Sequence, residues 1–279
     1  MNLKFSVLMS VYNGEKVDFF KEAIESVLNQ TVVPDEIVLI RDGYVYAELQ
    51  EAIDLYRLKF PNTFTYVPLE TNKGLGIALN IGVSVARNDL VARMDTDDIC
   101  LFDRFEKQLA YLENNPDVSV CGGQIQEFIY SKDKIEGERR VPEDHNKIAS
   151  FIRSRNPFNH MTVMFRKSAV IRAGNYQDMH YVEDYYLWCR MLLNGCRFGN
   201  LRDVLVYARI GKDMYRRRGG YEYFKSWRRL EKFKKDNGIT SFGRYVKTLI
   251  LRFVVQVLTP NFLRGVIIKK FARQSKAQR

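Results

Sequence analysis

Asp95-Thr96-Asp97-Asp98 closes the short apolar run Leu90-Val91-Ala92-Arg93-Met94, so three carboxylates arrive together where a buried strand would end. Hard oxygen donors grouped in this way suit Mg2+ or Mn2+, and open parallel sheets bind their ligands at the carboxyl ends of the strands. The chemistry indicated is a divalent cation gripping a phosphate. The same acids also have a local use, because Asp98 or Asp103 precedes the helical run 105–112 and is a good N-cap type.

Three further turns are polar at comparable positions. Ser10-Val11-Tyr12-Asn13-Gly14 follows the first apolar run and Arg41-Asp42-Gly43 the second. A nucleotide fits across such turns, with the backbone at Val11 near a base, Tyr12 beside it and Asp42 accepting from a ring N–H such as uracil N3–H. Asn13-Gly14 and Asp42-Gly43 are equally ordinary turn dipeptides. Asn72-Lys73-Gly74-Leu75-Gly76 opens a helix, where free N–H groups and Lys73 favour an anion. Far downstream, Glu183-Asp184 begins a helix among Tyr185, Tyr186 and Trp188. A carboxylate near apolar rings gains basicity by desolvation and suits a general base, while acids in a first helical turn also complement the helix dipole.

These residues need a scaffold that carries distant turns to one edge, and the hydrophobic pattern supplies it. Strand-like runs at 5–11, 36–41, 64–69 and 90–94 alternate with helical runs at 17–29, 47–60 and 75–86, which is the arithmetic of an α/β protein with a largely parallel sheet. A helix over 102–114 and a strand over 118–130 follow. The pattern loosens across 131–160, with a helix near 145–155. It resumes as a strand at 162–165, helices at 167–173 and 182–194, and a last strand at 204–210. A helical tail begins near Gly220.

The chain of 279 residues, 46% hydrophobic, is long enough to bury a full core. Its four cysteines show no paired spacing, which predicts reduced thiols rather than a zinc site or disulfide framework. Met1-Asn2-Leu3-Lys4 leads straight into strand-like sequence without the pattern of a secretory leader, so a cytoplasmic protein is expected. The net charge of +11 is unevenly spread: residues 1–211 carry 25 basic against 29 acidic side chains, and residues 212–279 carry 19 against 4. In that tail Phe242, Tyr245, Val246, Leu249, Phe253 and Val257 recur at helical spacing among Arg244, Lys247, Arg252, Arg264, Lys269 and Lys270. The pattern is that of a helix lying on an anionic membrane surface, or of one packed on its own domain.

Taken together, the motifs resemble the inverting nucleotide-sugar glycosyltransferases of family 2, of GT-A fold, over roughly residues 5–210. Val11, Tyr12 and Asn13 match that family's base-contacting turn, Asp42 its base-reading aspartate, and Asn72-Lys73-Gly74 its nucleotide-contacting turn. Asp95-Thr96-Asp97 matches the DxD motif and Glu183-Asp184 the ED motif. Asn159-His160-Met161-Thr162-Val163-Met164-Phe165-Arg166 is similar to the bacterial polysaccharide-assembly branch.

The resemblance implies a GT-A domain over 1–211, with a nucleotide-binding half at 1–115 and an acceptor half at 116–211, followed by the basic amphipathic tail at 212–279. It implies that Asp97, with Asp95, binds Mn2+ or Mg2+, that Asp98 orients the donor sugar, and that Asp184 is the general base supported by Glu183. His160 would contact the diphosphate or the acceptor, or equally make a structural hydrogen bond, and Arg209 with the run Arg216-Arg217-Arg218 would close over the diphosphate, although three consecutive arginines suit solvent or a membrane face somewhat better. The QxxRW motif of processive members is missing, since Trp227-Arg228-Arg229 lacks the preceding glutamine; one sugar is expected per acceptor. The expected substrates are a nucleotide-sugar, UDP-linked by preference, and a lipid-linked saccharide at the inner membrane face, with no nucleic-acid partner. Two alternatives compete. A sugar-phosphate nucleotidyltransferase would carry a glycine-rich loop after its first strand, and an inactive nucleotide-fold module for binding membrane or nucleic acid would have lost the carboxylates. Ser10–Gly14 does not supply the loop, and the carboxylates are present.

Overall fold

The computed structural model describes residues 3–211 and 219–259; Arg216, Arg217 and Arg218, and the tail beyond Thr259, lie outside them. The first half is a regular alternation: β1 (Phe5–Val11), α1 (Val17–Leu28), β2 (Glu36–Arg41), α2 (Ala47–Lys59), β3 (Phe64–Pro68), α3 (Leu75–Val85) and β4 (Leu90–Arg93). The two-residue β5 (Ile99–Cys100), α4 (Arg104–Asn114), β6 (Val118–Phe128), β7 (Ile135–Arg139) and α5 (His145–Phe151) follow. The series ends with β8 (Met164–Arg166), α6 (Lys167–Arg172), α7 (Glu183–Leu193), β9 (Arg197–Arg209), α8 (Tyr221–Asp236) and α9 (Phe242–Phe253).

One mixed sheet holds these strands in the order β3-β2-β1-β4-β8-β6-β9-β5, with β7 on the side of β6. The first four are parallel. β1 is buried on both faces, as a central parallel strand must be. Phe5, Val7, Met9 and Val11 enter the core under α1, α2 and α4, whereas Leu8 joins the core under α3, α6 and α7. Each such side chain contributes about 1.5–3 kcal/mol by leaving water. From β1 the chain winds outward through β2 to β3 and then crosses back to β4 on the other side of β1. The carboxyl ends of β1 and β4 therefore flank a topological switch point, the usual place for a ligand crevice.

β9 begins at Arg197, seven residues ahead of the expected strand at 204–210. Gly199, Asn200 and Asp203 read as loop, yet this segment runs parallel to β6, with Phe198 opposite Val120 and Asn200 opposite Gly122. Tertiary pairing overrides local propensity there. The residues expected as a strand from Thr162 begin instead with a 3-10 turn at His160–Thr162.

α8 and α9 form a C-terminal pair that packs on α7. Lys234 and Glu231 of α8 are fully buried as an ion pair at 2.9 Å, and Lys234 Nζ also donates to Tyr185 Oη at 3.1 Å. Arg252 of α9 lies over the Trp227 ring at 3.1 Å, so it braces the pair and does not face outward as the sequence pattern suggested. α9 itself buries no residue fully. Phe242, Val246, Ile250, Val254 and Leu258, spaced by four, form an exposed stripe along it and the π-helical turn that follows.

Candidate active site

The site is assembled from the turns after β1, β2 and β4, the start of α3 and the start of α7, which open on one cleft of about 1110 Å³. The second and third turns are clipped together. Asp42 Oδ1 accepts the Lys73 N–H at 2.6 Å and Oδ2 accepts the Gly74 N–H at 3.0 Å. Gly43 permits this approach, because its φ is +84° and a Cβ there would sit 2.6 Å from the Asn72 nitrogen. Val11 is buried behind the cleft, its carbonyl accepting the Asp42 N–H at 2.8 Å. Asn13 also faces away and accepts the Tyr46 N–H at 2.9 Å, while Tyr12 lies exposed on the cleft wall.

The aspartates beyond β4 converge. Carboxylate oxygens of Asp95, Asp97 and Asp98 lie within 4.8 Å of one another. Burial pushes the Asp97 carboxyl up to about 7, and the charges of Asp95 and Glu15 push in the same direction. Asp98 is also held well above the usual carboxylate range, first by burial and then by Asp97 and Asp95. Glu15 adds a fourth carboxyl, its Oε2 accepting the Thr96 hydroxyl at 2.6 Å. Such a crowd is short of positive charge, and its all-oxygen donor set fits Mg2+ or Mn2+. Helix capping does not explain the cluster: Asp103, at the N-cap of α4, makes no side-chain cap bond and pairs with Lys107 at 2.8 Å. Asp98 instead accepts the Arg209 N–H at 2.7 Å.

Two arginines hold the acids in register. Arg93 is buried and paired with Asp95. Arg209 donates from Nε to the Asp97 carbonyl at 3.0 Å, pairs with Glu22, and lies over the rings of Phe19 at 3.8 Å and Phe128 at 4.5 Å.

Across the cleft, α7 starts with the acidic pair. Glu183 lines the cleft, and its carboxyl is pushed up to about 7 by burial and then by the Asp184 charge. Asp184, half-buried, accepts from Asn156 Nδ2 at 2.6 Å and from the Tyr185 N–H at 2.6 Å, and burial raises it as well. Gly76 lets α3 approach this pair, since a Cβ there would meet Glu183 Cβ at 3.3 Å. His160 is turned to a structural contact: its Nε2 meets Tyr176 Oη at 2.9 Å, its ring packs by Trp188, and burial holds it well below the ordinary imidazole range.

Of the residues singled out in the sequence, Tyr12, Asp42, Lys73, Gly74, Asp95, Thr96 and Asp97 line the cleft, as do Glu183 and Arg209. Val11, Asn13, Asp98, Asp184 and His160 are not on its wall. Sequence reading missed Glu15, Arg93 and Asn156 as well as Tyr181, which lines the cleft three residues before Asp184. Arg93 alone left a trace, as one charge within an apolar strand.

Residues 6–179 match the family model described as Glycosyl transferase family 2, a span that stops ahead of Glu183-Asp184. The amylovoran biosynthesis glycosyltransferase AmsE of Erwinia amylovora is 43% identical over 91% of this chain and 94% of its own. The UDP-Gal:alpha-D-GlcNAc-diphosphoundecaprenol beta-1,3-galactosyltransferase of Escherichia coli is 39% identical over 97% of both chains. Among solved structures, S. aureus TarS 1-349 in complex with UDP-GlcNAc shares the fold, with a TM-score of 0.68 at 18% identity over 93% of this chain and 75% of that one.

Proposed function

This chain belongs to glycosyl transferase family 2, and we propose that it moves one sugar from a UDP-sugar to a hydroxyl of a lipid-linked saccharide, with inversion, during surface polysaccharide assembly. One observation carries the reading: the Asp42-clipped turns, Asp95 and Asp97 of the acidic cluster and Glu183 of the acidic pair line a single cleft. The donor half is 1–115, the acceptor half 116–211, and the exposed stripe of α9 in the tail meets the membrane.

In this reading Tyr12 and Asp42 meet the base, each Asp42 oxygen having a second lone pair beyond its bond to the third turn. Lys73 and the N-terminus of α3 face the diphosphate. Asp95 and Asp97 hold Mg2+ or Mn2+, and Asp98, buried beside them, accepts the Arg209 N–H and so fixes the strand end that carries Arg209. A cation held there supplies positive charge against the diphosphate leaving group. Asp184 takes the proton of the acceptor hydroxyl as its oxygen attacks the anomeric carbon opposite the departing UDP. The new carbon–oxygen bond replaces the bond to phosphate in one displacement. A second assignment, Glu183 as the base, is favoured by its position on the cleft wall. The likeness to the E. coli galactosyltransferase, named for a UDP-sugar donor and a diphosphoundecaprenol acceptor, supports both substrate classes.

Membrane contact is supported by the exposed stripe of α9 beside the exposed Arg244 and Lys247, an interfacial pattern. No helix of the described residues is long and apolar enough to cross a membrane. The experiment is a thermal-shift comparison of UDP, GDP and dTDP with and without Mn2+, on the wild type and Asp97→Ala. Selective, Mn2+-dependent stabilisation by UDP that Asp97→Ala loses is expected; equal response to all three nucleotides would sink the donor assignment.

A further inference from the structure

Tyr181 differs from the rest of the cleft wall in its backbone. Its φ is +70°, the left-handed region that is an outlier for a bulky side chain. Among the described residues the other non-glycine with positive φ is Asn175, a type that tolerates it. The Val182 N–H donates to the Met179 carbonyl at 2.9 Å, so Tyr181 is the third residue of a hydrogen-bonded turn. With positive φ that position favours glycine. Packing does not demand the ring either, because Tyr181 is 43% exposed. A strained turn thus presents a large, half-open aromatic ring two residues before Glu183, and strain of this kind gathers where a side chain has a binding task.

The ring has company. It lies 3.8 Å from the His180 ring and 5.1 Å, edge to face, from the Tyr223 ring of α8. Tyr223 packs on Trp227, which packs on Tyr185 of α7. The platform is therefore braced on the helix that carries the acidic pair. Its other side leads to the apolar stripe of α9. The Gly220 N–H, just before α8, donates to the Gln256 carbonyl at 2.9 Å, and Phe224 meets Phe253 at 5.4 Å.

We infer that Tyr181, supported by Tyr223 and His180, is the stacking platform for the acceptor's sugar ring. A pyranose has an apolar C–H face and a hydroxyl rim. An aromatic face takes the first, leaving a rim hydroxyl directed at the Glu183-Asp184 carboxylates. The inference rests on the lipid-linked acceptor proposed above and assigns the part of the cleft that receives it.

The test uses the full chain, a panel of UDP-sugars, and an N-acetylglucosaminyl diphosphate carrying a short alkyl chain as acceptor probe. Tyr181→Gly relieves the backbone and deletes the ring, which separates the two roles. The expected result is an acceptor KM about tenfold higher, the loss of one aromatic contact of about 1.4 kcal/mol, with UDP affinity unchanged and the melting temperature unchanged or raised. Tyr181→Phe keeps the wild-type KM. A wild-type KM in Tyr181→Gly, or a lowered melting temperature as the sole effect, would overturn the platform. If the wild type itself transfers no sugar to the probe, the acceptor reading falls, and the platform with it.

Discussion

Arg93 is the buried counter-ion of Asp95, reaching its carboxylate from within β4. Four carboxyl groups crowd this end of the strand, and Arg93 draws Asp97, Asp98, Glu183 and Asp184 toward the ionised state. Removing it by Arg93→Met leaves Asp95 facing like charges. Breaking a buried pair costs about 3–5 kcal/mol, and the lower end applies because Asp95 keeps 31% of its side chain exposed. Urea unfolding is expected to show a loss of about 3 kcal/mol. A loss below about 1 kcal/mol would mean that solvent, not Arg93, balances the aspartates.

Asp184→Asn separates binding from chemistry. The amide keeps the shape of the group but cannot take a proton. Transfer is expected to fall by about 10²–10⁴, the usual contribution of general base catalysis, with UDP affinity retained. Glu183→Gln is the companion variant, and the larger loss identifies which member of the pair carries the proton. Full activity in both would remove the pair from the reaction.

The acidic pair also predicts a pH profile. Burial raises both carboxyls, Glu183 to about 7, so kcat/KM should climb with pH as the base ionises, through about 7 where Glu183 carries the proton and above the ordinary carboxylate range where Asp184 does. Stability runs the other way. The folded-state value of Glu183 lies above its ordinary 4.5, so the folded protein holds the proton more tightly. The resulting stabilisation is complete below about 4.5 and is lost as pH rises through about 7. Melting curves between pH 5 and 8 should show this slope flatten in Glu183→Gln; an unaltered slope would place the titration elsewhere.

Phe242→Glu combined with Ile250→Glu interrupts the α9 stripe without touching the cleft. Each apolar side chain withdrawn from the interface costs about 1.5 kcal/mol, so flotation with phosphatidylglycerol vesicles should show at least a tenfold loss of bound protein. UDP binding should be unaffected. Unchanged flotation would leave the stripe without a membrane role.

The parallel half of the sheet was legible because β1, β2 and β4 are short apolar runs, each followed by turn residues, and sequence order alone carries those turns to one edge. Asp42, Lys73 and the Asp95–Asp98 cluster were visible for the same reason. The start of β9 was hidden by Gly199, Asn200 and Asp203, which form a strand only because β6 lies alongside. Glu15 and Asn156 were hidden because their roles depend on partners 81 and 28 residues away, Thr96 and Asp184. Tyr181 was hidden by its backbone angle, which its residue type argues against. The tail pattern leaves membrane contact and packing on its own domain both open, and α9 divides its faces: Arg252 is turned inward onto Trp227, while Phe242 and Ile250 stay in the open.

The Asp42 clip bears on how such an enzyme could change. One carboxylate ties the turn proposed to read the base to the turn proposed to hold the phosphates, so a substitution that altered nucleotide choice would loosen the diphosphate site in the same stroke. Tyr181 carries no comparable double duty, standing half-exposed on its turn. Divergence among relatives should therefore be slow in the nucleotide they accept and rapid in the glycan they extend.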